Sequence, residues 1–174
     1  PKTIREIGKA LRLDYRITHM ATQRLIEEKI ITMKTIGKSS LCSLNESYYG
    51  VELYQAENER KELILKNKDL RQLYREILSK TNTSFFILLL FGSYAKGTST
   101  KNSDIDLMFI SNEKDFEERI SAIISLIPLK THFLVFKEEE FIRMKDSPKL
   151  NVVKEAIENC ILLYGLEAYY NLKQ

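Results

Sequence analysis

Asp104 and Asp106 stand two residues apart in Asp104-Ile105-Asp106-Leu107-Met108-Phe109-Ile110, a stretch apolar enough to form a strand. Alternate residues of a strand project from one face, so both carboxylates would stand side by side while Ile105 and Leu107 enter the core. Two carboxylates held that close repel, and keeping both ionised is costly unless a cation lies between them. Ten residues separate the pair from Gly92-Ser93, which directly follows the unbroken apolar run Phe85 to Phe91. Such a run is expected of a strand buried on both faces. A strand that ends in Gly-Ser and turns into a short helix offers backbone N–H groups and a hydroxyl to a phosphate. Gly92 permits close backbone approach and Ser93 adds the hydroxyl donor. Hard oxygen ligands facing such a turn favour Mg²⁺ (or Mn²⁺), which also takes oxygens from a bound triphosphate. The whole is a layout for metal-assisted phosphoryl chemistry. Lys96 and Lys101, in and after the turn, are placed to touch phosphate, and Ser103 to stabilise the loop ahead of the pair.

A hydrophobic strand, Gly-Ser, ten residues and Asp-x-Asp together resemble the signature of the DNA polymerase beta-like nucleotidyltransferases. The stretch Phe91 to Leu107 is most similar to their minimal nucleotidyltransferase branch. The resemblance implies that Gly92 and Ser93 hold nucleotide phosphates, with Lys101 beside them. It gives Asp104 and Asp106 the metals and, with Ser93, catalysis. It implies transfer of a nucleoside monophosphate, AMP from ATP, onto an acceptor hydroxyl. Minimal members often act as antitoxins that adenylylate a helical HEPN-type toxin protein, so such a toxin is the expected acceptor.

The family commonly carries a third carboxylate on a later strand. Here helix Phe116 to Leu126 leads past Pro128 to the strand Thr131 to Phe136, which contains no Asp or Glu. His132 is the matching position, with Thr131 the alternative if the register slips by one. Glu138, Glu139 and Glu140 follow the strand and read as the start of a solvated helix. The departure opens a rival reading, a DNA-binding regulator whose degenerate nucleotidyltransferase domain senses nucleotide.

The elements before this core are of another kind. Thr3 to Leu11 reads as a helix with Thr3 and Glu6 as a capping box and Ile4, Ile7, Ala10 and Leu11 as its apolar face. After the turn Arg12-Leu13-Asp14, a second helix runs from Tyr15 to Lys29, with Ile17, Met20, Ala21, Leu25 and Ile26 as its expected buried stripe. Two β segments, Ile30 to Lys34 and Ser40 to Leu44, flank a turn with Gly37 and Lys38 and form a hairpin. Residues 1–50 hold nine Lys/Arg against five Asp/Glu, while the rest of the chain holds eighteen against nineteen. All the excess of the +3 net charge therefore lies in this segment, as suits a nucleic-acid-binding module.

Helix, tight turn, helix and basic hairpin resemble a winged helix-turn-helix. In that family the second helix enters the major groove of double-stranded DNA and the wing touches phosphates. The resemblance makes Tyr15, Arg16, Thr18, His19, Gln23 and Arg24 the DNA-facing positions, and Lys34 and Lys38 the wing contacts. A winged helix needs one more helix ahead of the pair, and only two residues precede Thr3. The native chain is therefore expected to be longer, with the domain's first helix missing here.

From Val51 to Lys80 the chain reads as one long helix or two in line. Leu63, Leu70 and Ile77 make a heptad step that would seat a second copy in a homodimer, the alternative being a helix packed on its own sheet. The last segment, Asn151 to Gln174, reads as helix, short strand at Ile161 to Gly165, and Tyr-rich helix. Cys42 and Cys160 have no partner at metal spacing and read as structural thiols of a reducing compartment. No apolar run approaches the ~18 residues of a membrane span, and no leader pattern opens the chain, so a cytoplasmic protein without membrane contact is expected. The expected fold class is α+β in three parts: a winged helix-turn-helix over residues 1–50, a connecting helix over 51–80, and a nucleotidyltransferase domain over 81–174 with a mixed sheet flanked by helices.

Overall fold

The computed structural model describes residues 1–37, 39–45, 47–48 and 50–173. Two compact units divide the chain, Pro1–Leu53 and Tyr54–Gln174.

In the first unit, β1 (Lys2–Thr3) precedes helices α1 (Ile4–Leu11) and α2 (Tyr15–Glu27). Strands β2 (Ile31–Ile36) and β3 (Ser39–Leu44) then pair antiparallel. The sheet order is β1-β3-β2. The capping box forms as its residues predict: the Glu6 amide donates to Thr3 Oγ1 at 3.2 Å, and the Thr3 amide donates to Glu6 Oε2 at 2.7 Å. Asp14 caps α2, accepting from the Arg16 amide at 2.8 Å.

The buried side of α2 is not the expected one. Thr18 and Thr22 face inward, whereas Ile17 and Met20 are 56% and 64% exposed and Ala21 is exposed as well. The cause lies in α1. Gly8 has no side chain, and a Cβ there would come 2.8 Å from Thr18 Oγ1, so the two helices meet at this pair. Burying the Thr18 hydroxyl costs little because it donates to the Asp14 carbonyl at 2.8 Å. Thr18 therefore leaves the outward set, and on α1 the expected apolar face keeps Ile4 buried and Ile7 half-buried while Ala10 and Leu11 are exposed.

Helix α3 (Val51–Ile64) carries the chain into the second unit. There follow α4 (Lys68–Lys80), β4 (Ile87–Phe91), α5 (Gly92–Lys96), β5 (Ile105–Ile110), α6 (Phe116–Ser125) and β6 (Thr131–Phe136). The chain then completes α7 (Glu138–Asp146), α8 (Val152–Glu158), β7 (Ile161–Tyr164) and α9 (Leu166–Lys173). Asn67 ends the connector's continuity by capping α4 through the amides of Asp69 and Leu70. The heptad step does not hold: Leu63 is exposed, while Leu70, Leu73 and Ile77 are buried in this unit's own core.

The four-stranded sheet has the order β6-β5-β4-β7 and is mixed: β4 is antiparallel to both neighbours, and β5 is parallel to β6. Ile105, Leu107 and Phe109 of β5 pack with Leu88 and Leu90 of β4 against α4 and α6. Met108 and Ile110 are equally buried on the opposite face, where α8 and α9 lie against β4. Covered on both faces, β5 is a rigid platform. Truncating a side chain such as fully buried Phe109 would cost about 3–5 kcal/mol, a large share of the ~5–15 kcal/mol that stabilises a domain. The expected run from Phe85 is shortened, since β4 begins at Ile87 and Phe85 is 81% exposed. Local bonds hold it out of the ladder. The Phe85 amide donates to Thr83 Oγ1 at 3.0 Å, and its carbonyl accepts from Ser111 Oγ at 2.9 Å.

Candidate active site

Asp106 lies second in β5 and is half-buried; Asp104 sits just ahead of the strand and is exposed. Alternation sends Asp106 away from the core taken by Ile105 and Leu107, and Asp104 lies near enough to repel its charge. On one side Asp106 is the cross-strand partner of Phe91 at the end of β4, and on the other it is the partner of His132 on β6. Because Phe91 is followed at once by Gly92, the Gly-Ser turn passes directly over the Asp106 carboxylate. Gly92 has φ +68°, and a Cβ there would meet Asp106 Oδ2 at 2.1 Å. Both the backbone angle and the closeness of the carboxylate require glycine.

After five residues α5 ends at Gly97 (φ +69°), and the Thr98 amide folds back onto the Ser93 carbonyl at 3.0 Å. Ser103 does close the following loop, with its Oγ accepting from the Thr100 amide at 2.9 Å. Lys101 stands exposed in the turn of that loop. Ser93, Asp104, Asp106 and His132 thus border one surface, with Lys101 on the loop that leads into it. A groove of about 1110 Å³ elsewhere on the unit is lined by none of them.

The electrostatics of this surface are negative. Burial pushes the Asp106 carboxyl above its ordinary value. Nearby Asp104 and Glu155 push the same way, and His132 opposes them. His132 Nδ1 stands 3.6 Å from Asp106 Oδ1, too far for a hydrogen bond but close enough for an ion pair when the imidazole is protonated. Lys96 Nζ meets Glu155 Oε1 at 2.8 Å, joining the end of α5 to α8. Glu155 is the residue that reading the sequence missed. It reaches the site because Val153 and Ala156 bury one side of α8, and nothing in its own spacing announces that.

The residues fit a divalent cation in part. Asp104 and Asp106 supply hard oxygen donors, and the repulsion of Asp106 by Asp104 is what a cation would relieve. Among the described residues no group of three or more His, Cys, Asp or Glu could hold a metal, so further ligands would come from a bound triphosphate.

In the first unit, considered by itself, Tyr15, Arg16, His19, Arg24 and Lys34 are exposed and Gln23 is half-buried. The rings of Tyr15 and His19 lie 5.9 Å apart on α2, and Arg24 is engaged by Glu28 at 2.8 Å. Lys38 lies outside the described residues. Among those residues no helix is long and apolar enough to cross a membrane.

A family model described as "Polymerase beta, Nucleotidyltransferase" matches residues 72–168, more than half of the chain. A crystal structure of a "putative nucleotidyltransferase" from Sulfolobus solfataricus is similar at 21% identity. That match covers 64% of this chain and 88% of the other, with a TM-score of 0.39. No curated protein matches.

Proposed function

The chain belongs to the polymerase beta nucleotidyltransferase family, and we propose that it transfers a nucleoside monophosphate, AMP from ATP, to an acceptor hydroxyl. One observation carries this reading: the Asp106 carboxylate is enclosed between the Gly92 turn and His132. The family generally uses a nucleoside triphosphate and Mg²⁺. Asp104 and Asp106 would hold Mg²⁺, which when bound orients the triphosphate and stabilises the departing pyrophosphate. Gly92 lets the backbone approach the phosphates, Ser93 donates its hydroxyl to them, and Lys101 adds positive charge from the loop. The acceptor oxygen bonds to the α-phosphorus as the α–β phosphoanhydride bond breaks, and His132 takes the hydroxyl proton. A neutral imidazole has a free nitrogen lone pair to accept that proton, which is the ordinary role of histidine as a general base. The resemblance of Phe91–Leu107 to minimal nucleotidyltransferases supports a protein acceptor of the HEPN toxin type, with the chain as antitoxin. Labelled ATP, Mg²⁺ and the cognate partner test it: label should pass to the partner, and Asp104→Asn should abolish transfer.

The order β1-β3-β2 and the exposed Tyr15, Arg16 and His19 of α2 support reading the first unit as a winged helix-turn-helix that binds double-stranded DNA. A specific observation also favours a second reading. His132 occupies the position where a carboxylate would complete the site, and an imidazole is a poor ligand for Mg²⁺. The chain is then a DNA-binding regulator that senses nucleotide without transferring it. A partner that stays unlabelled while ATP and DNA both bind selects this alternative.

A further inference from the structure

Among the described residues β6 pairs with β5 alone, which leaves it at the edge of the sheet. The carbonyls of Lys130 and Phe136 accept from the amides of Ile105 and Ser111 at 2.8 and 3.0 Å. In a parallel ladder the backbone groups of successive residues point to opposite sides, so Thr131, Phe133 and Val135 turn their N–H and C=O groups outward. The Thr131 to Phe136 stretch is apolar from Phe133 onward, and those four side chains are only half-buried. An edge of this kind is a template for another strand.

Beside the edge runs the groove of about 1110 Å³, with Phe133 and Val135 on its strand side and Ser121, Ala122 and Ser125 on its α6 side. Phe133 packs edge-on against Phe109 of the core, which fixes the floor. Five acidic residues line the groove against two basic ones. Glu113 is engaged by Arg119 at 2.5 Å, but Asp115, Glu117, Glu118 and Glu140 form no ion pair among the described residues. A second copy would bring an equally negative rim against this one, and like charges set opposite each other are destabilising. The charge selects a basic occupant.

We propose that the β6 edge and this groove dock a basic, extended segment of a partner protein by strand addition. Main-chain hydrogen bonds to Thr131, Phe133 and Val135 give affinity. Alternate apolar side chains cover Phe133 and Val135, and Lys or Arg side chains meet the acidic rim. His132 stands near the start of the same strand, so a docked segment ends at the border of the carboxylate site. The docking itself rests on none of the transfer chemistry.

The test uses the full chain and a short labelled peptide that alternates valine and threonine between terminal lysine pairs. Anisotropy should show saturable binding. Replacing the lysines with glutamates should weaken it at least about tenfold, as should Glu117→Lys with Glu118→Lys. Ala122→Arg, on the exposed surface of α6, should block the groove without disturbing the core. Hydrogen exchange should slow at the amides of Phe133 and Val135 when the lysine peptide is bound. Equal binding of the glutamate peptide, or binding without protection of those two amides, overturns the proposal. A dimer that Ala122→Arg converts to monomer, with no peptide binding, overturns it in favour of a second copy at the edge.

Discussion

His132 lies directly across the β5–β6 ladder from Asp106, with Nδ1 3.6 Å from the carboxylate oxygen. The pairing puts an imidazole beside a carboxylate that we propose holds Mg²⁺, and on that reading it divides two kinds of failure. Losing a general base typically costs about 10²–10⁴-fold in rate, whereas losing Asp104 or Asp106 would remove a ligand of the proposed Mg²⁺. We therefore expect His132→Ala to slow transfer to a cognate partner by about that factor while leaving Mg²⁺-dependent ATP affinity intact. Single-turnover labelling with a parallel ATP titration measures both. A His132→Ala variant that transfers at the unaltered rate would remove His132 from the chemistry.

Gly92 and Gly97 make a controlled pair. Both have positive φ, but a Cβ at Gly92 collides with Asp106 while one at Gly97 meets nothing within 4 Å. Gly97→Ala should lose about 1–2 kcal/mol from backbone strain alone and keep nucleotide binding. Gly92→Ala should lose more and abolish binding, because the turn or the carboxylate must move. Urea unfolding and ATP titration of the two variants decide the point, and equal losses would show that the turn does not press on Asp106.

Much of this arrangement is legible in the residues. Strand alternation turns Asp106 away from Ile105 and Leu107, and β6 formed over the residues its apolar pattern marks, with His132 opposite Asp106. Position along a strand is a local property, and hydropathy reports it well. What escaped was tertiary. Glu155 comes to Asp106 only through the packing of α8. The inward turn of Thr18 depends on Gly8 in another helix, against the apolar pattern of α2 itself. Phe85 is apolar yet exposed, because hydrogen bonds to Thr83 and Ser111 decide its backbone path before hydropathy can.

The two arginines of α2 should not contribute equally to DNA binding. Arg24 already pairs with Glu28, so a phosphate must compete for it, and its loss should weaken binding less than loss of Arg16. Arg16→Glu combined with Arg24→Glu should abolish binding to a duplex from the gene's own upstream region, with the second unit still folded. For the unaltered protein, log affinity should fall against log salt with a slope near −0.9 for each phosphate neutralised. Mobility shifts across a salt series give the slope. Binding that ignores both substitutions would take α2 out of the interface.

Asp106 ties stability to pH and, on the proposed function, to metal. Its folded carboxyl titrates above the ordinary value, first because it is buried and then because Asp104 and Glu155 repel its charge. The folded state therefore holds the Asp106 proton more readily than the unfolded chain does. By linkage, this contribution is fully present below the ordinary carboxylate pKa of ~3.9. It is lost as pH rises from there through the raised folded value. Asp106→Asn cannot ionise, so at neutral pH and without metal the variant should melt above the unaltered protein, and the gap should close in acid. If Asp104 and Asp106 hold Mg²⁺ as proposed, the ion should reverse the comparison by binding the folded form. Saturation at 100 times Kd adds about 2.7 kcal/mol to the unaltered protein, while the variant should gain little and lose Mg²⁺-dependent ATP binding. Thermal melts across pH, with Mg²⁺ and with a chelator, read both effects. A variant less stable than the unaltered protein at every pH, or one equally stabilised by Mg²⁺, would show that Asp106 is held for packing and not for a cation.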